Sequence, residues 1–165
     1  MEGTTKCHKC NSKALYQLVD KRFCKKCFAD LIEQKIKQNL RKYKIKKDSV
    51  LLVKDDCCKY FINKIIKLPV KIVDRGKHDH HVMPYTLDDD NEEFLTQIIQ
   101  AKKKKQNKKE VRLFLPVSKK DMKHYLEIKK IPCKFQKTKI NNIMDEFEKK
   151  HPGTKTALLK SSQKT

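Results

Sequence analysis

The sequence predicts an α/β protein with a parallel sheet and flanking helices, preceded by a small module that four cysteines hold together. Three observations predict this fold. Two Cys-x2-Cys pairs lie within the first 30 residues. A strand, a helix and a second strand follow one another between residues 49 and 73, which is the βαβ unit of a parallel sheet. The 165 residues suffice for one buried core and a small satellite module.

The amino-terminal module contains Cys7, Cys10, Cys24 and Cys27. Each pair lets two thiolates converge from one turn, and the spacer ALYQLVDKRF is predicted to fold back as a hairpin that unites the pairs. This arrangement predicts a structural zinc site, because four sulfurs complete the coordination sphere and leave no open position. An iron–sulfur cluster is the rival, and the hairpin spacer with its lysine-rich flanks favours a zinc knuckle.

The first helix and the βαβ unit follow this module. Residues 28–40 place apolar side chains at helical spacing, and residues 49–53 form a continuously apolar run that is typical of a buried parallel strand. Residues 59–68 are predicted as a helix that ends at Pro69, and residues 70–73 as the second strand.

The rest of the chain alternates again between strand and helix. Residues 74–86 are predicted to be irregular, so His78-Asp79-His80-His81 is interpreted as a solvated loop in preference to a metal site. A helix from Asp88 through the lysine run, a strand at 110–115 and three further helices at 118–131, 140–149 and 154–160 complete the elements. The predicted units are a four-cysteine knuckle at 1–30, a connecting amphipathic helix at 31–47, an α/β domain at 48–135 and a carboxyl-terminal helical segment at 136–165.

The chain is strongly basic, with 41 Lys and Arg against 20 Asp and Glu and a net charge of +21. Such an excess favours a nucleic-acid partner, because neutralised phosphates release counterions, although a generally lysine-rich composition would also produce it. The candidate RNA-binding residues lie on the first helix and in the lysine run: Lys35, Lys37, Arg41, Lys42, Lys102, Lys103, Lys104 and Lys105. No apolar stretch reaches the roughly 18 residues of a membrane span and none forms a secretory signal, so we expect a cytoplasmic protein with reduced cysteines.

Three segments resemble the cytoplasmic tRNA 2-thiolation proteins. The cysteine quartet leads into CFADLIEQKIKQNLRKYKIKKDSVLLV, which is similar to that family's knuckle, Cys-Phe helix and first strand. RLFLPVSKKDMKHYLEIKKI and KINNIMDEFEKKHPGTKTALLKSSQK are similar to its later strand and helix and to the carboxyl-terminal segment of its subunit 2. The likeness covers about the first 70 and the last 55 residues and leaves a divergent middle.

The resemblance implies a fold, a partner and a process. Residues 48–135 would form a reduced, degenerate adenine-nucleotide hydrolase-like (PP-loop) sheet. Subunit 2 of that system pairs as a heterodimer with a catalytic thiolase subunit, which adenylates the wobble uridine (U34) of certain tRNAs and replaces its 2-oxygen with sulfur from a ubiquitin-like carrier. The chain would then stabilise the catalytic subunit and bind tRNA.

The segment after the first strand predicts that the chain is not itself an enzyme. Catalytic members of the family have Ser-Gly-Gly-x-Asp-Ser there, whereas this sequence has Lys54-Asp55-Asp56-Cys57-Cys58-Lys59. Without glycine the backbone cannot approach a pyrophosphate closely, and the two carboxylates repel it. We therefore expect no ATP and no catalytic residue.

Other interpretations of the same features stay open. Cys57, Cys58 and Cys133 could be sulfur-transfer nucleophiles or cluster ligands. They are interpreted instead as small core residues, because no base lies beside Cys57 or Cys58 and no Cys-x2-Cys pair occurs beyond residue 27. An active thiolase with an atypical loop is one alternative function. A ribosome-associated or RNA-associated zinc-ribbon binding protein is the other.

Overall fold

The structure is a computed structural model that describes residues 6–100, 109–136 and 138–163. Its strands are β1 (Tyr16–Leu18), β2 (Lys21–Phe23), β3 (Val50–Val53), β4 (Lys71–Val73), β5 (His80–Thr86) and β6 (Glu110–Phe114). Its helices are α1 (Lys25–Arg41), α2 (Asp56–Tyr60), α3 (Leu87–Gln100), α4 (Lys119–Lys129), α5 (Lys139–Lys150) and α6 (Thr154–Ser162). A π-helical segment, Phe61–Ile66, continues α2.

The strands form two sheets. β1 and β2 are an antiparallel hairpin, and the other four strands form a parallel sheet in the order β4-β3-β5-β6. From β3 the chain runs outward to β4 and then returns to the opposite side of β3 as β5. The winding direction therefore reverses between β3 and β5, and sheets of this kind bind ligands beyond the carboxyl ends of the strands at such a point.

The core lies between the sheet and the helices that cover it. The apolar stripe of α1 is buried except at Leu31, which is half-buried, and α1 contacts both α4 and β6. Aromatic rings fill the centre: the ring of Phe61 is 4.8 Å from that of Phe114 and 5.4 Å from that of Tyr125. Burying side chains of this size stabilises the fold by about 1.5–3 kcal/mol each, so the aromatic cluster is a main source of stability.

The α/β fold class is confirmed, and most predicted elements lie where the sequence placed them. The structure corrects two predictions, the bounds of the helix at 59–68 and the irregular segment at 74–86. The helix predicted at 59–68 begins earlier, at Asp56, and passes into the π-helical segment, which ends at Ile66. The next residue, Lys67, has a left-handed φ of 55°. Of the helix predicted through the lysine run, α3 is described to Gln100, and Lys102 to Lys105 lie outside the described residues.

The prediction that residues 74–86 are irregular was wrong. His80–Thr86 form β5, which pairs with both β3 and β6 and so lies inside the sheet. The sequence concealed this strand because Pro84 removes a backbone donor and two histidines begin it. The register between β5 and β6 shifts between Met83 and Thr86, and this irregularity accommodates the proline. His80 and His81 are therefore strand residues and not a solvated loop.

None of the helices in the described part of the chain is long and apolar enough to cross a membrane.

Candidate metal centre and sheet-edge site

The structure brings the four cysteines of the amino-terminal module together. Their Sγ atoms all lie within 4.8 Å of one another, and the Sγ atoms of Cys10 and Cys24 are 3.6 Å apart. The β1–β2 hairpin returns the chain to the first pair, as the backbone N–H of His8 donates to the carbonyl of Arg22. Cys24 also caps α1, because its sulfur accepts a hydrogen bond from the backbone N–H of Cys27. The geometry is that of a four-thiolate metal site.

The pKa values of two of these thiols are shifted in opposite directions, as expected for cysteines that lie close together with no cation between them. Burial opposes ionisation of Cys7, but hydrogen bonds from the backbone of Cys24, Lys9 and Cys10 lower its pKa to about 6. Cys27 shows the opposite effect, because the hydrogen bond with the Cys10 side chain raises its pKa to about 12. Ionisation of one cysteine of the module thus opposes ionisation of another, as the opposite pKa shifts of Cys7 and Cys27 show. A bound cation would remove this conflict, since metals are ligated by the deprotonated form.

The cysteine module packs directly onto the α/β core. The ring of Tyr16 in β1 stacks on that of Phe28 in α1 with centroids 4.8 Å apart, and it also lies 5.4 Å from the ring of His124 in α4. Cys7 and Phe28 are both buried and belong to one continuous apolar cluster with the sheet. The cysteine module therefore shares one packed core with α1 and α4.

Polar groups of the loop after β3 already have hydrogen-bond and ion-pair partners within the protein. Asp55 caps α2, with its Oδ1 accepting a hydrogen bond of 2.8 Å from the backbone N–H of Cys58. The Nζ of Lys59 lies 2.7 Å from Asp74 and 3.6 Å from Asp56. A carboxylate thus takes the backbone donor that a glycine-rich turn would offer to a phosphate, and the ammonium group of Lys59 is already paired with carboxylates.

The cysteines of this loop face the core. Cys57 and Cys58 are buried, and burial raises the pKa of both thiols far above the ordinary range. The pKa of Cys133, whose side chain hydrogen bonds to Cys57, is also raised, mainly by burial. Reactive cysteines need a populated thiolate. The structure therefore supports their interpretation as core residues.

Sequence reasoning missed a buried ionic network at the carboxyl end of β5. The Nζ of Lys155 in α6 contacts carboxylate oxygens of Asp88 in α3 and Asp145 in α5, and Lys155 and Asp88 are each 3% exposed. The second oxygen of Asp88 accepts a hydrogen bond from the backbone N–H of Lys119 at the start of α4. The Nζ of Lys119 lies 2.7 Å from Asp89. The carboxylates of Asp88, Asp89 and Asp145 thus connect the four helices α3, α4, α5 and α6.

A second part of the network links β6 to α3 and α6. The guanidinium of Arg112 lies 3.0 Å from Asp90 and 3.4 Å from Glu93, and Ser162 donates a hydrogen bond of 2.6 Å to Asp90. Acidic residues in the first turn are favoured by the dipole of any helix, so the Asp88 to Asp90 run does not by itself indicate buried partners. Its partners lie some 20 to 70 residues away, so no local pattern indicated them.

The predicted RNA-binding residues of α1 differ in exposure. Lys37, Arg41 and Lys42 are exposed, whereas Lys35 is half-buried and near Asp121 of α4. Lys37 lies 3.9 Å from Glu33, so its charge is partly matched within the helix. The structure therefore leaves Arg41 and Lys42, at the end of α1, as the more accessible cations of this set.

The fold and the cysteine site define a mixed α/β protein with a parallel four-stranded sheet and an amino-terminal metal-binding module. No protein-family model matches the chain, and no curated protein matches it in sequence. Among solved structures, the U34-tRNA thiolase NcsA from Methanococcus maripaludis, determined with its 4Fe-4S cluster, matches with a TM-score of 0.76 and 16% sequence identity. The match covers 98% of this chain and 88% of that one. The chain therefore shares its overall fold with this structure.

Proposed function

We propose that this protein is a non-catalytic subunit of a tRNA-modifying complex that supports 2-thiolation of wobble uridine U34. The fold of a U34-tRNA thiolase supports the link to this process. The single observation on which non-catalytic status depends is the loop after β3. There the Asp55 carboxylate accepts from the N–H of Cys58, and Lys59 pairs with Asp74.

This loop bears on ATP because of its position. It follows β3 at the carboxyl edge of the sheet, next to the point where the winding reverses and where nucleotide sites form in such folds. A triphosphate there would meet the carboxylates of Asp55 and Asp56 and no glycine. It would also have to break the Lys59 to Asp74 ion pair. The chain would therefore leave adenylation to a catalytic subunit, with which it forms a heterodimer, and contribute stability and tRNA-binding surface.

The metal that we propose for the cysteine quartet is zinc. Two thiolates on one tetrahedral ion with bonds of about 2.3 Å lie about 3.8 Å apart. The 3.6 Å between Cys10 and Cys24, and the 4.8 Å limit on all four sulfurs, match a single ion. In a 4Fe-4S cluster each thiolate binds a different iron, which spreads the four sulfurs more widely. NcsA was solved with such a cluster, so metal analysis must distinguish the two.

The first experiment measures ATP binding to the isolated chain. Equilibrium dialysis with labelled Mg-ATP should show no binding at millimolar concentration, with a catalytic thiolase as the positive control. Saturable binding that the Asp55→Ala variant alters would refute the proposed loss of nucleotide chemistry.

The second experiment tests the partnership by reconstitution. The chain should co-purify with a catalytic thiolase subunit, increase tRNA thiolation when it is added, and produce no thiolated tRNA alone. Thiolation is read from the retarded migration of tRNA in mercury-containing gels. Thiolation by the chain alone would favour the active-thiolase alternative. Co-purification with ribosomes and no thiolase subunit would favour the zinc-ribbon alternative.

A further inference from the structure

Two histidines and a glutamate lie near one another at the amino edge of the parallel sheet, outside the cysteine module. The ring centroids of His78 and His81 are 6.3 Å apart, and the ring planes are inclined by 63°. His81 belongs to β5, and His78 lies in the loop that leads into this strand. Glu110 begins β6 and is the register partner of His81. Imidazole and carboxylate groups are common ligands of divalent transition metals.

The pairing of β5 with β6 places the side chains of His81 and Glu110 side by side. Side chains alternate between the two faces of a sheet, so register partners on neighbouring strands, about 4.8 Å apart, share a face. Both residues are half-buried. Among the described residues, neither the ring of His81 nor the carboxylate of Glu110 has a hydrogen bond or an ion pair. Both groups are therefore free to bind a ligand.

The ring of His78 is held in the tautomer that metal ligation requires. Its Nδ1 lies 2.9 Å from the carbonyl oxygen of Gly76. A carbonyl only accepts hydrogen bonds, so Nδ1 donates, and the lone pair of the neutral ring is then on Nε2. Histidine ligands of metals almost always donate their second ring nitrogen in this way. This hydrogen bond is independent of the distance between the rings, and it identifies Nε2 as the ligand atom.

The distance between the two rings fits one metal ion after a small movement. With metal–nitrogen bonds of about 2.0–2.1 Å, two imidazoles on a tetrahedral ion have their centroids roughly 5 Å apart. The observed 6.3 Å exceeds this value by about 1 Å. Both rings are only half-buried, and His78 lies in a loop, so rotation of the side chains closes this gap.

The kind of metal follows from the ligands and from the charge of the protein. The net charge of +21 opposes cations in general, and Lys77 and Lys109 are exposed beside the site. Affinity must therefore come from coordination bonds to neutral imidazoles, which zinc, nickel and copper ions favour. Magnesium and calcium ions need several oxygen ligands, and this site offers one carboxylate.

We propose that His78, His81 and Glu110 form a second metal site, which binds one divalent ion of the zinc, nickel or copper type. Nε2 of His78 and a ring nitrogen of His81 are the principal ligands, and Glu110 reaches the ion by rotation of its side chain. The ion connects the loop at 74–79 to β5 and β6 and so stabilises the amino edge of the sheet. The site is separate from the cysteine quartet and does not depend on the proposed thiolation role.

Zinc titration of the full chain, with the metal of its cysteine module in place, tests this site. The histidines are labelled with ¹⁵N, and spectra are recorded at about pH 7.5, where an ordinary imidazole is mostly neutral. Before zinc is added, the proton of His78 should be on Nδ1. One further equivalent of zinc should shift the signals of His78 Nε2 and of one ring nitrogen of His81. The signals of His124 and His151 should stay unchanged.

Variants then test each ligand by calorimetric zinc titration. Removing an outer partner of a metal ligand typically weakens binding by about 10–100-fold, so His78→Gln and His81→Gln should each weaken it at least tenfold. Glu110→Gln should weaken it less, because water can replace a single carboxylate oxygen. The matched control is His151→Gln, the same substitution at an exposed histidine, and it should keep the wild-type affinity.

Two results would overturn the site. The first is a wild-type spectrum in which the signals of His78 and His81 do not shift at saturating zinc, a measurement that requires no variant to fold. The second is an equal zinc affinity of His78→Gln, His81→Gln and His151→Gln, each with the circular dichroism spectrum of the wild type. A melting temperature that zinc raises in the wild type and not in His81→Gln would support the proposed stabilisation of the sheet edge.

Discussion

Replacing Lys155 by methionine should destabilise the protein severely, because Lys155 is the cation at the centre of the buried ionic network. Lys155 and Asp88 are each 3% exposed, and within the described residues the Asp88 carboxylate would keep only the backbone N–H of Lys119 as a partner. Removing one member of a buried ion pair typically costs about 3–5 kcal/mol, since the other charge stays buried without compensation. Domains are stable by only about 5–15 kcal/mol, so this loss is a large fraction of the total.

Urea unfolding followed by circular dichroism measures this loss, because the chain has no tryptophan to report by fluorescence. With a slope of about 1–3 kcal/mol per molar urea, the midpoint should fall by roughly 2 M. Lys160→Met, an exposed position of the same helix, is the control and should change the free energy of unfolding by no more than about 0.5 kcal/mol. The double variant Lys155→Met/Asp88→Asn should recover part of the loss. Equal midpoints for the Lys155→Met and Lys160→Met variants would refute the reasoning.

Three further predictions concern pH, a buried amide and the metal. Burial alone would lower the pKa of Lys155, but its hydrogen bonds to Asp145 and Asp88 outweigh burial and raise the pKa. The stabilisation by Lys155 is therefore complete below the unfolded pKa near 10.4 and is lost as pH rises through the folded pKa. The difference in free energy of unfolding between wild type and Lys155→Met should shrink as pH rises through this range, and a constant difference would contradict the assignment. Asn39 is 3% exposed, and its side-chain amide donates a hydrogen bond of 2.8 Å to the carbonyl of Arg112. The Asn39→Ala variant should therefore lose about 1–3 kcal/mol of unfolding free energy, measured by urea unfolding. An unchanged midpoint would show that this hydrogen bond does not stabilise the fold. Metal analysis should find one zinc ion per wild-type chain and none in the Cys10→Ser variant. Removing the metal with a chelator should lower the melting temperature, because the cysteine module shares its core with α1. Iron together with acid-labile sulfide would instead indicate an iron–sulfur cluster.

Much of the fold could be predicted because its signals are local. The apolar stripe of α1 and the run of β3 each follow the period of one element, and the spacing of the cysteines reflects two turns and a hairpin. The lack of a glycine-rich phosphate turn after β3 could also be recognised from the sequence, because it depends only on residues 54–59. β5 could not be predicted, because its irregular pairing at Pro84 disguises the strand and its burial comes from neighbours on both sides.

The sequence by itself determined the cysteine quartet, the α/β alternation, the basic charge and the lack of glycine after the first parallel strand, because each depends on residues close together in the chain. Only the tertiary structure decided that Lys155 is buried with Asp88 and that His80 lies in a central strand of the sheet. These pairings depend on the order of strands in the sheet. Strand order follows from how the whole core packs, and no single segment contains that information.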